Sequence, residues 1–146
     1  MRHAPALDNL GFLLAKASQR WDERLTAGFA ARGFAQVRAS YGSVLLPLWA
    51  EDGLRMGALA ARAGLSKQTM TTLVRLAERD GLVAPSVDAA DRRATRVWLT
   101  PLAIEFAPIA AQVVDDVQRS VVAALGTRRT RSLEHMLRVL VHLDKE

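Results

Sequence analysis

Apolar positions in the first third of the chain recur at three- and four-residue steps: Leu7, Leu10, Leu14, Ala17, Trp21 and then Leu25 or Gly28. That spacing predicts one long helix with a single apolar stripe. Ala31-Arg32-Gly33 closes it, with a glycine that tolerates a left-handed cap. A second helix is predicted from Gln36 to Trp49, with Val37, Tyr41, Val44, Leu45 and Leu48 inward. Pro47 falls late in it and is expected to kink or stop it, because proline donates no backbone hydrogen bond. Helical periodicity returns after Thr100, which suits an N-cap, with Pro101 in the first turn. That helix is expected to bend at Pro108, run to about Leu125 and break at Gly126. A last helix from about Thr127 carries Leu133, Met136, Leu137, Leu140 and Leu143.

The stretch between these helices has a different rhythm. A short helix from about Arg55 to Ala63 buries Met56, Leu59, Ala60 and Ala63, and small Ala60 allows a second helix to cross closely. Gly64 permits a sharp turn, Leu65 plugs its underside and Ser66 is a good N-cap. The next helix, Lys67 to Asp80, turns Met70, Leu73, Val74 and Ala77 inward. Gln68, Thr71, Thr72, Arg75 and Arg79 share the opposite face. Gly81 ends it. Leu82-Val83 begins one strand, and Thr95 to Leu99 alternates as another, with Val97 and Leu99 inward. Ser86 to Ala94 forms a loop between them, with Asp91-Arg92-Arg93 at its tip. Two short helices around a glycine turn followed by a hairpin make a winged helix-turn-helix. The predicted fold class is mainly α with a small β-hairpin wing, flanked by long N- and C-terminal helices that serve dimerisation.

The chain of 146 residues fits a single domain, 1–146. Residues 1–35 and 101–146 are expected to form the helical dimerisation region, and 36–100 the DNA-binding lobe. A stripe this long on two terminal helices has few partners within so small a chain, so packing between two subunits is expected beside ordinary core packing. No apolar run is long enough for a membrane span, and the N-terminus lacks a secretory apolar core, so a cytoplasmic location is expected. The chain has no cysteine, which excludes disulfides and zinc-cysteine sites.

Charge sharpens the picture. The formal net charge is +5, and from Gly53 to Thr100 eight lysine and arginine side chains face four carboxylates. Four of the five net positive charges therefore sit where phosphate contacts would be needed. A merely solvated helix face would be dominated by Glu and Lys, whereas this one offers Gln, Thr, Thr and Arg. Gln can bond adenine, Arg can bond guanine, and a Thr methyl can touch the thymine methyl. Gln68, Thr69, Thr71, Thr72 and Arg75 are thus the expected major-groove readers. Ser66 and Lys67 open the same helix, and Lys67 and Arg55 are expected on phosphates. Arg92 and Arg93 are placed to reach a minor groove, whose negative potential attracts guanidinium groups. Asp91 is expected to orient a neighbouring arginine through a salt bridge.

These residues carry a resemblance. Thr71-x-x-Val74-x-x-Ala77-Glu78-x-x-Gly81-Leu82-Val83, then Asp91-Arg92-Arg93, then Val97-Trp98-Leu99-Thr100 is similar to the multiple-antibiotic-resistance regulator (MarR) family of winged-helix transcription factors. The resemblance implies a homodimer joined by N- and C-terminal helices on a pseudo-palindromic double-stranded operator. It also implies a repressor released by a small aromatic or phenolic effector. This sequence departs from the family pattern at Ala77, where leucine is usual, and at Pro85 and Ser86, where arginine is frequent. Ala89-Ala90 stands before the wing tip, and Ala103 replaces a common glycine. Those departures motivate a second reading, a winged-helix protein-interaction module with weak or lost DNA binding.

Trp21, Tyr41, Trp49 and Arg20 are candidate ligand contacts, since Tyr and Trp supply an apolar wall with one hydrogen-bonding edge. The alternative is that they are packing residues. His135 and His142 share a helix face but lie two turns apart, about 10.5 Å, too far for one metal. No metal site, cofactor or membrane partner is expected. No nucleophile-base pair or Gly-rich phosphate loop is present, so enzymatic activity is not expected.

Overall fold

The computed structural model describes residues 3–145. Helix α1 spans Leu10–Ala31, and the Asn9 side chain caps it by accepting from the Phe12 N–H at 3.1 Å. Gly33 follows with φ +89°, the left-handed geometry expected after the helix. Gly28 marks where α1 crosses a later helix closely: a Cβ there would lie 2.5 Å from Val113 Cγ1.

The second helix is shorter than its apolar pattern predicts. Arg38 is extended, a single 3-10 turn covers Ala39–Tyr41, and helix α2 begins only at Gly42 and ends at Ala50. Val37 and Tyr41 are buried from a turn, so their inward spacing mimicked a helix that is not there. Pro47 is accommodated inside α2, which stops three residues later.

Strand β1, Leu54–Arg55, escaped the sequence reading because two residues carry no alternation. Helix α3 (Met56–Ala63) and helix α4 (Lys67–Arg79) follow, joined through Gly64 in the left-handed region at φ +68°. Leu59 and Ala60 are buried as expected, while Met56 and Ala63 are half-buried at the core's edge. Strands β2 (Val83–Val87) and β3 (Thr95–Leu99) form the wing hairpin, and the antiparallel sheet has the order β1-β3-β2. Helix α5 runs Pro101–Leu125 as one helix through Pro108, and helix α6 spans Thr127–Val141. Pro108 and Ile104 are both exposed, so water can serve the carbonyl that proline leaves without a donor.

Thr100 joins the winged helix to α5. Its hydroxyl donates to the Gly81 carbonyl at 2.6 Å and accepts from the Ala103 N–H at 3.3 Å. One continuous core runs through both regions: Tyr41, Leu48, Leu59, Met70, Leu82 and Phe106 are all fully buried within it. Phe106 of α5 meets Phe29 edge-on at a centroid distance of 4.9 Å and Phe34 at 5.0 Å. Those ring contacts lock α1 and α5 to the centre of the molecule. No helix is long and apolar enough to cross a membrane among the described residues.

The turn before β1 is unusually constrained. Asp52 Oδ1 accepts from the N–H groups of Gly53 and Leu99, both at 2.9 Å. Gly53 has φ +68°, and a Cβ there would collide with the Trp98 ring. Gly53→Ala should therefore destabilise the protein by about 2 kcal/mol or more, combining left-handed strain with a displaced indole. Chemical denaturation of the two proteins measures it, and an unchanged midpoint would refute this account of the turn.

Candidate nucleic-acid interface

Helix α4 is presented by its caps. Ser66 Oγ accepts from the Thr69 N–H at 3.1 Å and donates to Thr69 Oγ1 at 2.9 Å, so both side chains are engaged in the cap. Met70, Val74 and Ala77 are buried, which turns Gln68, Thr72 and Arg75 to solvent. Thr71 is half-buried. The Thr71 hydroxyl donates to the Lys67 carbonyl at 2.8 Å and the Thr72 hydroxyl to the Gln68 carbonyl at 3.2 Å. Each thus keeps an acceptor lone pair and a methyl free for an approaching partner. Lys67 and Arg75 are exposed and make no ion pair among the described residues.

Arg79, on the same face by sequence, behaves differently. Its guanidinium is held by Asp80, with Nε to Oδ1 and Nη2 to Oδ2 both at 3.2 Å. Tyr41 donates its hydroxyl to Asp80 Oδ2 from the other side. Hydrogen bonding from Arg79, then from Tyr41, holds the Asp80 carboxyl below the usual carboxylate value. Burial, reinforced by Asp80, pushes the Tyr41 hydroxyl above its own.

The wing is organised by a residue that the sequence reading counted only as a charge. Asp88 is 4% exposed. Its Oδ2 receives Arg55 Nε at 2.8 Å and Arg96 Nε at 3.1 Å, and its Oδ1 accepts from the Ala90 N–H at 2.9 Å. Arg96 also donates through Nη1 to the Gly53 carbonyl at 2.7 Å. The Ala90 N–H and the two guanidinium groups hold the Asp88 carboxyl below its usual range. Arg55, expected on phosphate, is therefore committed to a carboxylate, although part of its side chain stays exposed. Beyond this anchor the tip is open. Asp91 Oδ1 accepts from the Arg93 N–H at 3.1 Å and from Arg93 Nε at 3.3 Å, the orienting pair that the sequence suggested. The Arg93 side chain is 93% exposed, so this pair is screened and weak. Arg92 is exposed beside it.

The four candidate ligand residues do not converge. Tyr41 is core, fully buried and bonded to Asp80. Arg20 is exposed and paired with Glu23 at 2.7 Å. Trp21 lines a groove of about 610 Å³ with Leu14, Val121, Leu133, Glu134 and Leu137. Trp49 instead borders a separate cleft of about 350 Å³ with Phe29, Arg38, Leu46, Phe106 and Asp115, and its indole N–H donates to the Ala103 carbonyl at 3.1 Å. Arg38 was not singled out by sequence. It lies on an irregular segment where no periodicity flags a residue, and it makes no ion pair among the described residues. No group of three potential metal ligands occurs among those residues.

A capped exposed helix, a glycine turn and an anchored hairpin define a winged-helix protein. Residues 43–94 match the model of the MarR family. The whole chain superposes on the PcaV transcriptional regulator from Streptomyces coelicolor, solved in complex with its natural ligand, with a TM-score of 0.80 at 19% identity, covering 99% of this chain and 100% of that one. A probable transcriptional regulator from Pseudomonas aeruginosa gives 0.79 at 22% identity, covering 91% and 97%. The transcriptional repressor CouR, solved on a 23-mer DNA duplex, gives 0.78 at 22% identity, covering 95% and 99%. No curated protein matches the chain by sequence. The chain is thus similar to the MarR family over residues 43–94, and its overall fold is that of those solved regulators.

The Asp88 anchor has a pH signature. A carboxyl held below its usual value of 3.8 contributes stability above that value and loses it as the pH falls through the lowered folded-state value. Asp88→Asn should lower the melting temperature near neutral pH and expose the wing to proteolysis. The gap from the wild type should close only in strong acid, below 3.8. A gap that already closed in mildly acidic buffer would contradict the anchor.

Proposed function

We propose that this protein is a homodimeric, sequence-specific DNA-binding transcriptional regulator, a repressor released by a small aromatic ligand. The observation that carries DNA binding is the pairing of two exposed surfaces on one rigid unit. One is the α4 face with Gln68, Thr72 and Arg75, and the other is a wing tip with Arg92 and Arg93 held out by the Asp88 anchor. Gln68, Thr71, Thr72 and Arg75 read the major groove, the capping pair Ser66 and Thr69 sets the helix end against the backbone, and Lys67 contacts phosphate. The Arg92 and Arg93 side chains enter the adjacent minor groove, with Asp91 steering Arg93. Residues 36–100 form this lobe. The departures at Ala77 and Pro85 are consistent with an intact unit: Ala77 is fully buried, and Pro85 sits in a regular pair with Val97.

Segments 1–35 and 101–146 form the dimerisation region. Leu7, Leu10 and Leu13 before and along α1, and Met136, Leu140 and Leu143 along and after α6, are all at least 40% exposed in a single chain. Such an exposed apolar set suits a second copy of the same surface. The effector cleft is the one bordered by Trp49 and Phe106. Its apolar walls and the Arg38 guanidinium, which makes no ion pair among the described residues, suit an aromatic carboxylate.

Selection from random duplexes at low salt should enrich a pseudo-palindrome; no enrichment would refute the reading and favour an interaction module. On the enriched duplex, Arg93→Ala should weaken binding at least tenfold, about 1.4 kcal/mol. Arg75→Ala should shift base preference, whereas Lys67→Ala should weaken every duplex alike and flatten the salt dependence. For the dimer, Leu140→Glu should halve the mass measured by light scattering and abolish tight operator binding; an unchanged mass would remove α6 from the interface.

A further inference from the structure

The 3-10 turn Ala39–Tyr41 faces two different environments. Arg38, Ala39 and Gly42 line the aromatic cleft, whereas the Tyr41 ring between them is fully enclosed and its hydroxyl donates to Asp80. Asp80 is the C-cap of α4, its N–H donating to the Leu76 carbonyl at 3.1 Å and its carboxylate gripping Arg79. The other end of α4 is fixed locally by Ser66. The Tyr41 side chain and its hydrogen bond thus link the cleft wall to the C-terminal end of the exposed helix.

We infer that Tyr41 is a positioning residue that transmits occupancy of the Trp49–Phe106 cleft to the C-terminal end of α4. A close-packed interior does not deform continuously, so a displaced cleft wall must carry the enclosed ring with it. The hydrogen bond to Asp80 then either follows the ring or breaks, and breaking it removes the bond that ties the C-cap of α4 to the 3-10 turn, leaving Asp80 with Arg79 alone. Such a link needs only two arrangements of one element, biased from both sites. The inference deepens the effector reading above and rests on its choice of cleft.

The test needs no ligand. Ala111 lies on the exposed side of α5 and lines the cleft, so Ala111→Trp fills it with a tethered indole. Amide hydrogen exchange at Arg79, Asp80 and Gly81 is then compared in four proteins: wild type, Ala111→Trp, Tyr41→Phe and the double variant. Tyr41→Phe keeps the ring and removes only the hydroxyl. Filling the cleft should speed exchange by about threefold or more when Tyr41 is present and leave it unchanged in the Tyr41→Phe background. The same change in both backgrounds, or none in either, overturns the proposal. If Tyr41→Phe does not fold, Asp80→Ala severs the link from the other side and the same cycle is read. Calorimetry with benzoate on the wild type, and operator binding by all four proteins, test the parent reading separately. Exchange coupling without benzoate or operator binding refutes that reading and supports the Tyr41 link. Benzoate binding with independent exchange effects does the reverse.

Discussion

Two strands, the wing loop and a turn are tied together at the carboxylate of Asp88. Arg55 reaches it from β1, Arg96 from β3, and the Ala90 amide from the wing loop, while Arg96 also holds the Gly53 carbonyl. A buried carboxylate with two guanidinium partners and a backbone donor is satisfied only if all of these segments stay in register. The sheet is too small to hold itself: β1 has two residues, and a lone hairpin is marginal in water. Asp88 supplies what area does not. It also engages two guanidinium groups that stay partly exposed, while Arg92 and Arg93 stand further out at the tip.

A second constraint acts on the helix. α4 is fixed at its start by a hydroxyl cap within its own sequence and at its end by a tyrosine from the 3-10 turn. The two ends differ in kind, because the first depends on neighbouring residues and the second on tertiary packing. The exposed face between them carries few intramolecular commitments beyond the Thr71 and Thr72 back-bonds. Rigid ends with an uncommitted middle are what a reading surface requires, since side chains already tied to one another have less to offer a base edge.

How much of this was legible follows from the range of the interactions. The caps at Ser66 and Thr100, the turn at Gly64 and the inward stripe of α4 are encoded within four residues or so and stand where the pattern put them, while the hairpin is present but its first strand runs on through Ser86 and Val87, which the pattern assigned to the loop. The Asp91–Arg93 pair is equally local. What escaped was long-range. Asp88 meets Arg55 across 33 residues, and Tyr41 meets Asp80 across 39, and no periodicity announces such a partner. The misplaced start of α2 has the opposite cause, because Val37 and Tyr41 imitate helical spacing while being buried from a turn. Trp21, Tyr41 and Trp49 are close in pattern but divide among a groove, the core and a cleft, since composition cannot say which side of a helix pair an aromatic ring will take.

Pro85 has a meaning beyond its missing arginine. β2 is an outer strand of the sheet, and the bonds from the Thr100 N–H to Leu82 and from the Asp88 N–H to Ala94 put the even-numbered residues of β2 on the β3 side. The odd-numbered residues turn their amides outward, and the middle one of that row is a proline with no amide to give. A bare strand edge is a template for another strand, and any assembly that displays several wings multiplies the hazard. By interrupting that row, Pro85 keeps the exposed wing a poor seed for a growing sheet.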